Sequence, residues 1–315
     1  MTSAIEVQGL RKDYGDFPAV VDVSFTVEPG EVFCLLGPNG AGKTTTTEIL
    51  EGYRDRTAGA VQVLGFDPGR AERAYRQRIG IVLQECGVQG DLTVAEVLDM
   101  YGSCYPKRIP TADVIRLVEL DAKASDRVGT LSGGQRRRLD VGLALVGDPD
   151  LIFLDEPTTG FDPAARRASW STFRGLAELG KTVLLTTHFM DEAQALADRI
   201  AVVAGGRIVA EGTPETLGGR DRAGTRIEAD LPDGFDPRDL PDLGPATLTL
   251  DGGHLTLACD DAVAVTHRLT AWALEHNIAL RGLTVAQPTL EDVYLALTAA
   301  ATDGRLASAA PTASV

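Results

Sequence analysis

The sequence predicts a chain of the α/β class, with a parallel sheet covered by helices over residues 1–218 and a smaller α+β domain over residues 225–300. Short β-branched or apolar runs alternate with helical stretches up to about residue 215, a pattern typical of parallel sheets packed between helices. A polar, glycine-rich segment at 219–224 then interrupts the pattern and predicts a linker. Residues 301–315, rich in Ala, Ser and Thr, predict a frayed tail.

Hydrophobic periodicity assigns the elements of both domains. In the first domain we expect strands at 5–9, 20–27, 31–36, 150–154 and 182–187, and helices at 42–50, 93–101 and 111–120. The stretch at about 89–140 is mostly helical and predicts a helical insertion. In the second domain we expect strands at 226–231, 246–250, 254–258 and 278–285, and helices at 262–276 and 289–297.

Composition excludes several classes of protein. The 315 residues are 44% hydrophobic and 24% charged, enough to bury a core and unlike a disordered chain. The net charge of -15 disfavours broad electrostatic binding to DNA or RNA. No run reaches the roughly 18 apolar residues of a membrane span, and the N-terminus does not resemble a signal peptide. The four cysteines have no zinc-site spacing and predict reduced thiols.

A phosphate-binding loop is the strongest local signal. The segment 37–44 matches G-x-x-x-x-G-K-[ST] between a predicted strand and a predicted helix. Its glycines let backbone amides turn inward toward phosphate oxygens, and the helix directs its positive end to the same place. The alternative is a glycine-rich turn with an exposed lysine, which the flanking strand and helix disfavour. The expected nucleotide contacts here are Gly37, Pro38, Asn39, Gly40, Ala41, Gly42, Lys43, Thr44 and Thr45.

A second motif places two carboxylates after a buried strand. Residues 151–154 are apolar, and Asp155 and Glu156 follow them directly. The carboxyl edge of a parallel sheet is where ligands bind in open α/β folds. We therefore expect Asp155 to organise Mg²⁺ and Glu156 to orient or deprotonate an attacking water. The motif is weak alone, because many strands end in an acidic turn, and it gains its meaning from the preceding phosphate loop.

A third motif, LSGGQ at 131–135, opens a predicted helix with Ser132 as its N-cap. A hydroxyl, bare amides and a helix N-terminus make a second anion site. Two such sites on one chain do not serve one triphosphate, so this site makes sense facing the phosphate loop of another copy. The basic run Arg136–Arg138 is interpreted as a helix face or a dimer-interface charge and not as a nucleic-acid patch.

Together these motifs resemble one family. GPNGAGKTT at 37–45, Gln84, LSGGQ, LIFLDEP at 151–157, Asp162 within TTGFDP, and His188 occur in the order found in the nucleotide-binding domain of ATP-binding cassette (ABC) proteins. The resemblance covers about residues 1–215. It implies a P-loop NTPase fold with a helical subdomain at about 89–140, and a competent ATPase that uses ATP and Mg²⁺.

The resemblance also implies roles outside the phosphate loop. Tyr14 would stack on adenine, although Phe17 is close enough in sequence to take that role. Gln84 would sense Mg²⁺ and the γ-phosphate, and the alternative is an ordinary polar residue at a strand end. With Lys43, Glu156 and His188, Gln84 completes the expected catalytic set, while Thr44, Gln84 and Asp155 form the expected metal set.

Further roles concern the second copy. Ser132, Gly133 and Gly134, followed by Gln135, would cap the γ-phosphate held by the partner in a head-to-tail homodimer. Asp162 would couple the two sites. His188 would hold the γ-phosphate and the attacking water; the alternative is a histidine satisfied within the core.

What the ATPase drives is inferred from the same resemblance. We expect a subunit that powers export through a separate membrane permease, peripheral to the cytoplasmic face of the membrane. The alternative is a soluble ABC ATPase acting on a ribosome or nucleic-acid complex, and a third possibility is a regulatory module that uses ATP only as a switch. Residues 287–298 resemble the end of the daunorubicin-resistance type of subunit, which serves exporters of drugs, lipids or polysaccharides. The apolar face of the last helix packs either on its own domain or on a second subunit.

Overall fold

The computed structural model describes residues 3–70, 72–82, 87–88, 90–220, 224–232, 235–236 and 239–302. The chain divides into two compact units: residues up to Pro214 together with those from Leu297, and residues Glu215–Ala296. Each unit contains its own sheet. Part of the predicted linker, residues 221–223, and most of the predicted tail, residues 303–315, lie outside the described residues.

The first unit carries the large sheet and seven α-helices among its described residues. Its strands are β1 (Ile5–Tyr14), β2 (Phe17–Val27), β3 (Val32–Leu36), β4 (Ala58–Val63), β5 (Ile79–Val82), β6 (Leu151–Asp155), β7 (Thr182–Thr187), β8 (Arg199–Ala204) and β9 (Arg207–Gly212). Its helices are α1 (Lys43–Glu51), α2 (Arg73–Arg76), α3 (Val94–Gly102), α4 (Thr111–Leu117), α5 (Gly133–Leu145), α6 (Pro163–Glu178) and α7 (Met190–Leu196).

The large sheet is only partly parallel. Its strand order is β4-β1-β2-β9-β8-β3-β7-β6-β5. Strands β8, β3, β7, β6 and β5 are parallel, as the sequence predicts. The expectation of a parallel sheet is wrong for β1, β2 and β4, which pair antiparallel, and for β9, which is antiparallel to β8. The physical reason is a tight turn: Tyr14 pairs with Phe17, and Gly15 takes a φ of 57°, which favours a hairpin.

The strands that carry the site are buried on both faces. Every residue of β3 and β7 is buried, and so are the four apolar residues of β6. Phe33 stacks on Phe25 with ring centroids 5.1 Å apart. Continuous burial of this kind is what helices on both faces of a parallel sheet produce, and it makes the ends of these strands a rigid support.

The predicted helical stretch contains α3, α4 and α5. Helix α3 begins with a capping box, in which Thr93 and Glu96 each satisfy the other's backbone amide. Helix α4 ends at Leu117 and not at residue 120 as predicted. Glu119 takes a left-handed φ of 54°, which is incompatible with a continued helix.

The second unit is an antiparallel sheet with helices. Its elements are β10 (Thr225–Asp230), β11 (Ala246–Asp251), β12 (His254–Cys259), α8 (Ala262–Glu275), β13 (Arg281–Ala286) and most of α9 (Leu290–Thr302). The strand order is β11-β12-β10-β13, and α8 contributes Val265, Leu269 and Trp272 to the core beside it. The last strand begins three residues later than predicted, at Arg281. Ile278 and Leu280 instead pack against the core.

The last helix buries part of its apolar face. Leu290 and Tyr294 are 1% and 7% exposed in the single chain. This burial favours packing of the face within its own chain over the alternative of a second subunit.

One carboxylate in the fold of the first unit is unusually buried. Glu51, the last residue of α1, is 6% exposed, and its Oε1 has no hydrogen-bond partner among the described residues. Burial, helped by the nearby carboxylates of Asp155 and Glu48, raises the pKa of Glu51 from 4.5 to about 8. The native state therefore binds the proton of Glu51 more tightly than the unfolded state does. As the pH rises from about 4.5 to about 8, the unfolded state loses this proton first, and the free energy of unfolding falls.

We expect Glu51→Gln to remove this pH dependence, because the amide keeps the shape and cannot ionise. Relative to the unsubstituted protein, the variant should gain about 2 kcal/mol of unfolding free energy between pH 6 and pH 9. Urea unfolding at the two pH values measures this. Glu178→Gln, at an exposed position of α6, is the matched control and should show the same difference at both pH values. A Glu51→Gln difference that does not change with pH would contradict the account.

Candidate functional site

The register of three parallel strands brings the sequence motifs together. Leu36 of β3 lies opposite Thr187 of β7, and Asp155 of β6 lies opposite Thr186. Because parallel strands end at the same edge, the residues that follow each strand emerge side by side. Those are the phosphate loop after β3, Glu156 after β6 and His188 after β7.

The loop after β3 is shaped by glycines that no other residue could replace without movement. A Cβ at Gly37 would lie 2.4 Å from the carbonyl oxygen of Val203. Gly42 has a φ of 102°, and a Cβ there would lie 2.6 Å from the carbonyl oxygen of Ala19. Gly40 also has a left-handed φ, 79°. The loop therefore curls tightly against the backbones of β2 and β8.

Lys43 is held inside this curl and is only 3% exposed. Its ammonium donates to the carbonyl oxygens of Gly37 at 2.8 Å and Pro38 at 3.1 Å, and it lies 3.4 Å from Glu156 Oε1. No side chain caps the start of α1, so its first-turn amides face the loop without a side-chain acceptor. A cation and free amides at one helix end form an anion site.

Asp155 and Glu156 are held by one hydroxyl of the neighbouring strand. The Thr186 hydroxyl donates to Asp155 Oδ1, and the Glu156 amide donates to Thr186 Oγ1 at 3.0 Å. Burial raises the pKa of Asp155, and the Thr186 hydrogen bond lowers it by less, so the net direction is upward. Thr186 thus ties the Asp155 carboxylate and the Glu156 backbone to β7.

Glu156 combines backbone strain with a strongly polar surrounding. Its φ of 43° is left-handed, which is costly for a residue with a Cβ and is found mainly at functional sites. Burial raises the pKa of Glu156, but Lys43, the Thr159 hydroxyl and His188 together lower it below its ordinary value. The Thr159 hydroxyl donates to Oε2 at 3.0 Å, and His188 Nδ1 lies 3.3 Å from the same oxygen. Glu156 is therefore ionised at neutral pH.

A cavity of about 470 Å³ opens in front of these groups. Both candidate aromatics, Tyr14 and Phe17, border it. Tyr14 is contacted on its ring by Lys12 and Arg54, at 5.2 and 5.5 Å from the centroid, whereas Phe17 is 64% exposed. The lining comprises Tyr14, Phe17, Ala19, Asn39, Gly40, Gly42, Lys43, Thr44, Thr45, Asp155 and Glu156.

The LSGGQ segment and Asp162 are not among the lining residues of this cavity. Ser132 caps α5 in a capping box: its Oγ accepts from the Gln135 amide, and Gln135 Oε1 accepts from the Ser132 amide. Gly133 and Gly134 are exposed. Asp162 caps α6, accepting two backbone amides at 2.9 Å, a local role that the sequence interpretation did not assign. Gln84 lies outside the described residues.

The residues present suit Mg²⁺ with phosphate. Thr44 and Asp155 supply oxygen donors to one cavity, and oxygen is the donor that Mg²⁺ prefers. No cluster of three or more His, Cys, Asp or Glu that could hold a metal occurs in the described part of the chain. Mg²⁺ is often held by one or two side chains together with substrate phosphates, and Thr44 and Asp155 are two such side chains.

Comparison with known proteins decides the family. A family model described as ABC transporter matches residues 20–159. A curated relative, Nod factor export ATP-binding protein I of Paraburkholderia xenovorans (strain LB400), is 41% identical over 303 residues, covering 94% of this chain and 97% of the relative. The chain belongs to the ABC transporter ATP-binding subunits. It is an ATPase, as its motifs predicted.

Two further comparisons extend this result. The Nod factor export ATP-binding protein I of Ralstonia nicotianae (strain ATCC BAA-1114 / GMI1000) is 46% identical over 224 residues, 69% of each chain. A solved ATP-binding cassette of an ABC transporter in its ADP conformation aligns with a TM-score of 0.60 and 26% identity, covering 68% of this chain and 92% of that one. The fold predicted from the motifs is confirmed.

The second unit also has a family match. A model described as the C-terminal domain of ABC transporter domain-containing protein-like chains matches residues 225–289. No helix in the described residues is long and apolar enough to cross a membrane.

Several residues of the site were not identified from sequence. Thr186 bonds the Asp155 carboxylate, 31 residues away in the chain, and Thr159 bonds the Glu156 carboxylate, three residues away. The signal for Thr186 is the pair of threonines with which β7 ends. That signal alone does not tell which neighbour the hydroxyl reaches.

We expect Thr186→Val to destabilise the protein by about 1–3 kcal/mol, because it removes the hydroxyl that donates to the Asp155 carboxyl and leaves the Glu156 amide only the Thr186 carbonyl as acceptor. Thr186→Ser, which keeps the hydroxyl, is the matched control and should retain most of that stability. Urea unfolding of the two variants measures the difference. If Thr186→Val and Thr186→Ser lose the same unfolding free energy, the loss reflects packing and the hydrogen bonds of the hydroxyl contribute nothing.

Proposed function

We propose that this ATPase is the energy-supplying subunit of an exporter, acting through a separate membrane permease. The observation that carries the proposal is the convergence of Lys43, Asp155, Glu156 and His188 at one sheet edge. A buried cation, a polarised carboxylate pair and a neighbouring imidazole form the set that hydrolysis of a phosphoanhydride requires. Both quoted relatives are named as export proteins, which supports export over the alternative of a ribosome or nucleic-acid complex.

In this proposal the phosphate loop binds the β- and γ-phosphates of ATP. The amides of Gly40 and of the first turn of α1 point at phosphate oxygens. Lys43 gives up its hydrogen bonds to the loop carbonyls and donates to phosphate oxygens. Thr44, Asp155 and Gln84 hold Mg²⁺, which when bound neutralises charge on the phosphates. The buried position of Lys43 keeps its charge poorly screened by solvent, and this strengthens its pull on an anion.

Glu156 then acts on the attacking water. Its carboxylate is ionised and partly buried, so one oxygen is available to orient the water and accept its proton. His188 lies beside the same carboxylate and holds the γ-phosphate and the water in line. Positioning of this kind supplies most of the catalysis in phosphoryl transfer.

Two copies complete the site in this proposal. Each Ser132-Gly133-Gly134 segment caps the γ-phosphate held by the other copy, and Gln135 supports it through the capping box. Asp162 couples the two sites. The exposure of the two glycines of this segment and of Asp162 in the single chain supports an intermolecular role, because none of the three borders the nucleotide cavity of their own copy.

We assign the finer features as follows. The homodimer sits at the cytoplasmic face of the membrane, held there by the permease. Residues 1–218 form the cassette, 219–224 the linker, 225–300 an accessory domain and 301–315 a tail. The cargo is of the drug, lipid or polysaccharide class. The resemblance of 287–298 to the daunorubicin-resistance type supports multidrug export, with antibiotic resistance as its outcome.

We expect Glu156→Gln to lower steady-state ATP turnover by about 100-fold or more, because the amide cannot accept a proton. ATP affinity should stay within a few-fold, since the shape of the cavity is kept. Phosphate release and equilibrium ATP binding measure the two quantities, with Glu178→Gln as the control. Unchanged turnover in Glu156→Gln would remove the role given to this carboxylate.

We expect Tyr14→Ala to weaken ATP binding about tenfold, because aromatic stacking on a base contributes about 1–3 kcal/mol. Tyr14→Phe should bind ATP normally, since the ring is retained. Phe17→Ala tests the competing assignment. If that variant loses affinity and Tyr14→Ala does not, Phe17 is the stacking residue.

A further inference from the structure

We propose that Arg166 and Phe189 form a positioning bridge that sets the place of His188 relative to the loop ending at Asp162. This inference rests on the hydrolytic role proposed for His188. The two bridge residues belong to different segments, α6 and the start of α7, and neither borders the nucleotide cavity. They are therefore positioning residues and do not touch the substrate.

The bridge is a stack of three side chains. The rings of His188 and Phe189 have centroids 4.0 Å apart at an interplanar angle of 41°. The Arg166 guanidinium carbon lies 3.9 Å from the Phe189 ring centroid, within the range of a cation–π contact. The Arg166 side chain is only 13% exposed, so water screens this contact weakly. Phe189 thus contacts both the guanidinium and the imidazole.

One end of the stack is anchored to the Asp162 loop. Asp162 caps α6, and the Arg166 amide donates to the Asp162 carbonyl at 2.9 Å in the first turn of that helix. A capped first turn is a rigid unit. Any displacement of Asp162 therefore moves the base of the Arg166 side chain with it.

Acidic groups hold the guanidinium in place. Arg166 Nη1 lies 3.2 Å from Asp191 Oδ1. The Glu192 side chain is fully buried; burial raises its pKa, while the hydroxyls of Thr187 and Thr158 and the charge of Arg166 act in the opposite direction. The charge of Glu192 is therefore a second negative charge near the Arg166 guanidinium.

The stack constrains the imidazole. The imidazole of His188 contacts the Phe189 ring and lies with Nδ1 3.3 Å from Glu156 Oε2, and these two contacts restrict its rotation. A planar guanidinium can stack on an aromatic ring, whereas the compact ammonium of lysine cannot. Lysine at position 166 would keep the charge but lose the stack.

The test uses the full chain and compares kcat, the KM for ATP and the unfolding midpoint. We expect Arg166→Lys and Phe189→Leu each to lower kcat about tenfold, while KM stays within about twofold and the unfolding midpoint is retained. Phe189→Tyr should restore kcat, because the ring is kept. Arg167→Lys, the neighbouring cation on α6, is the matched control and should behave like the unsubstituted protein. A merely structural role would lower the unfolding midpoint and raise KM as well.

The double variant Arg166→Lys/Phe189→Leu decides whether the two residues act as one bridge. We expect its kcat to equal that of the single variants, because removing either residue already breaks the stack. The proposal would be overturned if the fold-loss of kcat in the double variant equalled the product of the two single losses. Normal hydrolysis by the single variants would overturn it as well. His188→Ala distinguishes failure of the proposed function from failure of the bridge. If His188→Ala hydrolyses ATP normally, the role proposed for His188 is wrong. If His188→Ala is inactive and Phe189→Leu is normal, only the bridge is rejected.

Discussion

The parallel pairing of β3 with β7 and of β7 with β6 determines where chemistry occurs in this protein. The pairing is backbone to backbone and buried on both faces, so the strand ends have no freedom to slide. A shift of one residue would turn each strand's side chains to the opposite face and separate Asp155 from Thr186. The phosphate loop, the carboxylate pair and His188 all depend on that register.

The charged groups of the site balance one another. Lys43 donates to two loop carbonyls and pairs with Glu156, and the Glu156 carboxylate also contacts Thr159 and His188. In the proposed mechanism the phosphates of ATP compete with these internal partners for Lys43. The left-handed backbone of Glu156 indicates that the turn after β6 is strained to direct the carboxylate toward this cavity.

The sequence predicted those parts of the site that local pattern determines. A glycine-rich turn after an apolar strand, or two carboxylates after another, places its residues through neighbours in the chain. It did not predict the Thr186 hydroxyl between Asp155 and Glu156, or Arg166 on Phe189, because these contacts depend on which helix packs against which strand end. The hairpin of β1 and β2 was missed for a related reason: two alternating runs predict strands, but their direction depends on the turn at Gly15.

The two units differ in how much their sequences reveal. The first unit carries motifs whose spacing has a chemical reason, so both its fold and its activity can be inferred from them. The second shows elements but no such motif, and its match to a C-terminal domain family describes its kind without assigning it chemistry.

In the proposed mechanism, ATP joins two copies of this chain through their LSGGQ segments. Light scattering of the Glu156→Gln chain tests it most directly, because slow hydrolysis preserves the ATP-bound state. The account predicts a monomer of 33.3 kDa without nucleotide or with ADP, a doubled mass with ATP, and no doubling when Ser132→Arg is added although ATP still binds. An ATP-saturated Glu156→Gln chain that stays monomeric, or a Ser132→Arg chain that dimerises equally well, would contradict it.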